Sequence, residues 1–258
     1  MITVYYAVHN SSDILFDETY DYNPILNMLD SGLVPLYPDL SKDKSKTTPS
    51  SASVFSCRAF LDFTKNTFIM KNPIDLNVRV EKQKILNYGN RNLDSLYKIR
   101  SLQVEDVYNF NYSLGYLFFS EDDVEVQVTS PFMHKSNFCK NGYIFPGKFN
   151  ISKWFRSVNP AVQFYDNLDK NIVSEKGDPL MYIKFNTEKN VTLRKFSMCK
   201  ELEDIMYATI EYKQYEPNKP LSYLYDKFTK AGLHKKTLKL IKENLIWRRF
   251  YISAIIEL

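Results

Sequence analysis

Along residues 124–129, Val-Glu-Val-Gln-Val-Thr, apolar and polar side chains alternate with a period of two. That period places Val124, Val126 and Val128 on one face of a strand and Glu125 and Gln127 on the other, one face in and one face out. Similar short runs follow each other through the middle of the chain: YLFFS (116–120), YIFPGKFNI (143–151), VQFYD (162–166), LMYIKF (180–185) and VTLRKF (191–196). Each is rich in aromatic and β-branched residues and bounded by Asn, Asp, Gly or Pro, the signature of short antiparallel strands in a sandwich or jelly roll. Nearer the start, ITVYYAV (2–8), TFIMK (67–71) and DLNVRVE (75–81) read as strands, with Pro73 punctuating between the last two.

Two short helices interrupt this pattern. Asn23 as N-cap, Pro24 at the first helical position and Gly32 beyond the end predict one; Phe60, Phe63 and Thr67 at helical spacing behind Ser56 predict the other. Between them, Ser41–Ser53 is polar and without period, so it reads as a loop that tethers rather than as a lid. From Met198 the period changes to that of a helix. Leu202, Ile205, Met206 and Ile210 recur at helical spacing, Pro217 and Pro220 break the chain, and Leu221, Leu224, Tyr225 and Phe228 recur as far as Gly232. A third helix is expected through TLKLIKENLIWRR (237–249). The prediction is therefore an α+β protein: a mainly antiparallel β-sandwich or jelly-roll-like core over residues 1–196, and a helical appendage over 197–258 packing on it.

The segment 175–196 reads as a hairpin. Met181, Ile183 and Phe185 share one face of the first strand, and Val191 and Leu193 one face of the second, so both sets belong in one core. A three-residue loop, Glu188-Lys189-Asn190, keeps those sets together by pairing Phe185 with Leu193, and Asn190 tolerates the left-handed conformation that ends such a loop. Lys184 then lies opposite Arg194, Tyr182 opposite Phe196 and Asn186 opposite Thr192. Like charges in that position call for water, or for an anion if the face is covered. In the covered case Arg156 and His134 join Lys184 and Arg194 in a basic pocket walled by Trp154 and Tyr182, suited to a phosphate, carboxylate or nucleotide.

Composition narrows the chemistry. Over 258 residues, 44% are hydrophobic and 25% charged, an ordinary globular balance. The 19 Tyr and 18 Phe exceed what one core of this size readily hides and point to surface aromatics, while only 7 Gly leave few phosphate-cradling loops. No GxxxxGK[ST], GxGxxG or GxSxG occurs, which argues against P-loop, dinucleotide and α/β-hydrolase chemistry. The net charge of +4 lacks the clustered excess of a dedicated nucleic-acid binder; the C-terminal basic stretch, with Lys235, Lys239 and Lys242, reads as the wet side of an amphipathic helix. Cys57, Cys139 and Cys199 are dispersed free thiols by their spacing, and His9, His134 and His234 are isolated, so no metal and no cofactor is expected. The acidic run Glu121-Asp122-Asp123 with Glu125 lacks the glycine and spacing of a calcium loop and reads as a solvated turn, as does Gly177-Asp178-Pro179. No apolar run nears the roughly 20 residues needed to cross a bilayer, and the N-terminus has neither a basic n-region nor a small-residue cleavage site. A soluble intracellular protein is expected.

Two blocks, GKFNISKWFRSVNPAVQFYD with IVSEKGDPLMYIKFNT, and CRAFLDFTKNTFIMKNPIDL, where a cysteine opens a helix ahead of a strand and Pro-Ile-Asp, resemble uncharacterised proteins of tailed phages. The resemblance spans about residues 55–200. It implies phage origin, with a place in the host cytoplasm or the virion, and carries no catalytic signature. Together these readings lead to two expectations: a binding or assembly protein that forms a homo-oligomer or attaches to a phage or host protein, or a metal-independent enzyme or sensor for a small anionic ligand. A lone His without an identified carboxylate orienter weakens the second.

Overall fold

The computed structural model describes residues 1–9, 33–36, 57–81, 84–89, 97–101, 108–165, 170–246 and 252–253. The helix expected behind Asn23 and the polar segment 41–53 lie outside the described residues. In chain order the strands are β1 (Ile2–Val8), β2 (Leu33–Pro35), β3 (Thr67–Lys71), β4 (Leu76–Glu81), β5 (Lys84–Asn87), β6 (Tyr97–Ser101), β7 (Tyr108–Tyr112), β8 (Tyr116–Ser120) and β9 (Glu125–Thr129). They continue with β10 (Gly142–Ile144), β11 (Gly147–Asn150), β12 (Ser157–Val158), β13 (Ala161–Phe164), β14 (Asn171–Ser174), β15 (Pro179–Asn186), β16 (Val191–Lys195) and β17 (Ile252–Ser253). Helix α1 (Arg58–Thr64) precedes β3, and α2 (Lys200–Tyr215), α3 (Leu221–Lys230) and α4 (Leu233–Glu243) follow β16.

The strands form four sheets, ordered β12-β8-β1-β16-β17, β11-β9-β15-β3-β2, β10-β13-β7-β6 and β14-β4-β5. Among the described residues every strand pairing is antiparallel except β1 with β16. One face of each sheet contributes to a common apolar core: Val4 and Phe118 from the first, Phe68 and Phe185 from the second, Phe110 from the third and Val78 from the fourth. Phe185 sits at its centre, edge-on to Phe68 at 5.7 Å and to Phe118 at 5.5 Å. Edge-to-face packing suits the ring quadrupoles and adds to the burial itself. The first sheet is covered on its other face too, where Tyr5, Ala7, Leu117 and Phe119 meet Leu202, Met206, Phe228 and Ile241 of the three C-terminal helices. Strand β1 therefore carries apolar side chains at successive positions instead of alternating, as a strand buried on both sides must.

Several expectations need correction. Helix α1 ends at Thr64, and Thr67 opens β3; Asn66 between them takes the left-handed conformation at φ 55°. YIFPGKFNI is two strands in two sheets, because Pro146 has no N–H to offer a ladder and the chain changes partner there. The last helix stops at Glu243, and β17 returns to pair with β16.

The largest correction concerns the hairpin. Met181, Ile183, Phe185, Val191 and Leu193 do share one core, but β15 and β16 do not pair. Strand β15 lies between β9 and β3, with Lys184 opposite Gln127 and Thr67, while β16 lies beside β1, with Arg194 opposite Tyr5. The connection 187–190 is a crossover between sheets, and Asn66 fixes it. Its amide donates to the carbonyls of Thr187 (2.8 Å) and Lys189 (2.9 Å) and accepts from the N–H of Val191 (3.0 Å), while its own carbonyl accepts from Phe185 N–H. Asn is among the few residues that take this backbone conformation readily, and its amide matches donors and acceptors at once.

Replacing Asn66 with Ala removes those bonds from a buried site and is expected to cost about 2–4 kcal/mol of unfolding free energy. Asn66→Gly loses the same bonds but not the backbone preference, so it is expected to fall about 1 kcal/mol short of that loss. Urea denaturation of both variants measures the difference, and equal losses would show that the left-handed conformation contributes nothing.

Candidate functional site

On the outer face of β15, away from the core, Tyr182 and Lys184 stand two residues apart and share one side of the strand. Tyr182 is buried, and its hydroxyl accepts a hydrogen bond from Met133 N–H at 3.1 Å and lies 2.5 Å from His134 Nδ1. Phe132 packs edge-on to its ring at 5.1 Å, and Phe63 of α1 packs on Phe132 at 5.6 Å. Lys184 closes the arc: its ammonium lies 4.6 Å from the Phe63 ring centroid and donates to the Phe63 carbonyl at 2.7 Å. Burial pushes the Lys184 ammonium below its ordinary value, and Glu188 partly offsets this. Phe63 and Phe132 remain 49% and 53% exposed. The result is an aromatic surface with a partly desolvated cation at one end and a Tyr–His pair beneath.

Three residues expected in a pocket, Lys184, Tyr182 and His134, thus lie on one surface. The other three lie elsewhere. Arg194 is on the helix-covered side of the first sheet, in register with Tyr5, whereas Lys184 points away from the common core on the second sheet. Arg156 precedes β12, which is separated from β16 by β8 and β1. Trp154 is buried, with its ring 6.0 Å from Tyr225 of α3. The predicted Lys184–Arg194 pair does not form, because the two strands belong to different sheets.

The acidic run behaves as a charged turn: Lys242 reaches Glu121 at 2.7 Å, Lys153 reaches Asp123 at 2.7 Å, and Lys148 bridges to Glu125. Among the described residues no group of three His, Cys, Asp or Glu is placed to hold a metal ion. The Gly177 turn is tied through the Asp178 carboxylate, which accepts from Asn137 Nδ2 at 3.0 Å and Glu175 N–H at 3.0 Å.

The sequence reading missed a second histidine contact. His9, at the end of β1, is buried with Nδ1 3.6 Å from Glu203 and Nε2 3.4 Å from the Tyr207 hydroxyl, both one turn apart on α2. Gly115, at φ 69°, lies so close that a Cβ there would fall 1.4 Å from the His9 carbonyl oxygen. The loop is therefore pressed onto the end of β1, and His9 N–H donates to Gly115 O at 2.7 Å. Burial lowers the His9 pKa, with Glu203 opposing the shift.

Two outcomes follow. Tyr182→Phe keeps the ring but removes the oxygen that Met133 N–H uses; faster hydrogen exchange at Met133 and a stability loss of about 1–2 kcal/mol are expected. For His9 the folded pKa is below the unfolded one, so the unfolded chain binds the extra proton first. Stability is therefore expected to fall as pH drops below about 6.5, and His9→Gln is expected to flatten that part of the pH–stability curve. An unchanged slope in the variant would place the titration elsewhere.

No family model, curated protein or solved structure matches the chain.

Proposed function

We propose that the chain is a phage-encoded β-sandwich protein, of jelly-roll type, that acts as a binding and assembly module in the host cytoplasm or the virion and self-associates. The supporting observation is the Phe63–Phe132 pair, half exposed and packed ring on ring over the outer face of β15. Exposed aromatics that contact each other offer a large apolar area at small entropic cost, and such residues are enriched in the buried centres of interfaces. A contact across a two-fold axis needs only this one patch, used by both copies. The neighbouring strand β9 carries Gln127 and Thr129, both half-buried, which suit a polar rim.

The alternative, an enzyme or sensor for a small anionic ligand, keeps Lys184, Tyr182 and His134 together but lacks Arg194 and Arg156 beside them. No helix among the described residues is long and apolar enough to cross a membrane.

Native mass spectrometry tests the assembly reading. A defined homo-oligomer is expected for the unaltered protein, and monomer for Phe132→Asp, whose exposed position leaves the fold intact. A monomeric parent, or an oligomer unchanged in Phe132→Asp and Phe63→Asp, would refute self-association through this patch.

A further inference from the structure

Helix α2 packs on the first sheet through Leu202, Ile205 and Met206, and beside that buried stripe it carries Glu203 and Tyr207. Four residues apart, these two side chains lie on one side of the helix. His9 meets both at the end of β1. It is 7% exposed, with Nδ1 3.6 Å from the Glu203 carboxylate and Nε2 3.4 Å from the Tyr207 hydroxyl. Its backbone is held as well: His9 N–H donates to Gly115 O, and the N–H groups of Leu114 and Gly115 both donate to Asn159 Oδ1 at 3.0 Å, so the loop that presses on His9 is itself fixed.

Neutral His9 with its proton on Nδ1 turns that proton to the carboxylate and its Nε2 lone pair to the hydroxyl. The order is nucleophile, base, orienting carboxylate, and such contacts are commonly longer than an ideal hydrogen bond before substrate is bound. Burial favours the neutral imidazole, which is the form that accepts a proton. Tyr207 is 40% exposed, so it is open to a reagent while the base behind it is not. The other His–Tyr contact, His134 with Tyr182, differs on this point because Tyr182 is only 1% exposed. Charge then selects what can approach. Around Tyr207, α2 carries Glu203, Asp204 and Glu211 against Lys200, which is already paired with Asp204 at 3.2 Å. That surface repels a phosphate or other anionic donor and does not repel an uncharged ester.

We propose that Tyr207 is a nucleophile, with His9 as its general base and Glu203 as the positioning residue of that base, and that the site takes an acyl group from an uncharged activated ester. The Tyr207 oxygen attacks the carbonyl carbon while His9 Nε2 takes the hydroxyl proton. The tetrahedral intermediate collapses with loss of the alcohol, to which His9 returns the proton, and an acyl ester is left on Tyr207. Water hydrolyses that ester to the carboxylic acid and restores the phenol. The site is built from β1 and α2, not from α1 and β15, so it stands whether or not the chain self-associates through the Phe63–Phe132 patch.

The full-length protein with p-nitrophenyl acetate tests it, with p-nitrophenol release followed by absorbance and the acetylated residue identified by peptide mass spectrometry. Tyr207 is expected to carry the acetyl group and to acquire it faster than Tyr215, which is 81% exposed and serves as the comparison without a base. Tyr207→Phe is expected to abolish this labelling and His9→Gln to slow it about a hundredfold, with circular dichroism showing that both variants are folded. Glu203→Gln is expected to slow it less and to move the acid limb of the pH–rate profile to lower pH, because the carboxylate opposes the fall that burial causes in the His9 pKa. An anionic ester, p-carboxyphenyl acetate, is expected to show a smaller enhancement over its own hydrolysis in buffer than the uncharged ester does. Acetylation confined to lysines, or of Tyr207 no faster than of Tyr215, would overturn the proposal, and that comparison is made in the unaltered protein and needs no variant. A labelling rate unchanged in His9→Gln would also overturn it, and a larger enhancement for the anionic ester would overturn the choice of substrate.

Discussion

The fold depends on the amide of Asn66. Strands β15 and β16 are neighbours in sequence but belong to different sheets, so the four residues between them must carry the chain across an edge of the core without leaving backbone groups unpaired. Asn66 supplies this from a distant segment, giving two donors and an acceptor to residues 187–191. Because it also sits between α1 and β3 in a left-handed conformation, the same residue turns the chain out of the helix and into the second sheet. Two changes of direction, more than a hundred residues apart in sequence, are thereby coupled at one buried side chain. Ile2 N–H donates to Asn190 O at 2.8 Å, so the start of β1 is set by the same crossover. The parallel pairing of β1 with β16 follows from that placement.

The two-sided burial of the first sheet also changes the meaning of the aromatic content. A single core of this size would leave much of the Phe and Tyr outside, but the described residues hold two large apolar interiors, one between the sheets and one between the first sheet and the helices, and a small third cluster of Leu36, Ile69 and Tyr182. Tyr116, Phe118 and Phe185 fill the first; Phe119, Phe155, Phe196 and Phe228 fill the second. Much of the excess is internal. Among the described residues, exposed aromatics cluster in the Phe63–Phe132 pair and the Tyr143–Phe145–Tyr165 edge, while Tyr88 and Tyr215 stand apart from them, and clustering makes an exposed aromatic informative where scattered ones are not.

The strands and the C-terminal helices were legible in the sequence because their periods are local. The alternation of Val124, Val126 and Val128 against Glu125 and Gln127 reports burial directly, and Leu202, Ile205 and Met206 recur along one face of α2 as expected. Pairing was not legible. A period of two tells which face of β15 is apolar, and correctly sends Phe185 and Leu193 to one core, but it cannot tell a hairpin within one sheet from a crossover between two sheets lining the same core. The unbroken run Leu180-Met181-Tyr182-Ile183 was the missed hint: a strand apolar at successive positions is covered on both sides and flanked by more than its sequence neighbour. The site divided in the same way. His134 and Tyr182 meet as the sequence suggested, whereas Arg194 was assigned by the hairpin register and was lost with it. His9 was passed over because its carboxylate, Glu203, comes from a helix at the far end of the chain.

A sheet lined with amides next to exposed tyrosines makes a different physical demand from one covered by helices. Helix packing needs apolar side chains at a face, which Tyr5, Ala7, Leu117 and Phe119 supply; amides buried there would lack partners. Asn109 and Asn111 answer part of their own need, with Asn111 Nδ2 donating to Asn109 Oδ1 at 2.7 Å, but Gln163 does not. Gln163 and Asn109 are only 7% and 6% exposed, so the amides of that face are sealed from water while the aromatic edge beside them is not. The Phe63–Phe132 patch is the reverse, exposed rings over a strand whose polar side chains are already engaged. The two faces therefore differ in how far their polar groups are satisfied, and the difference comes from the side chains beneath the rings rather than from the rings themselves.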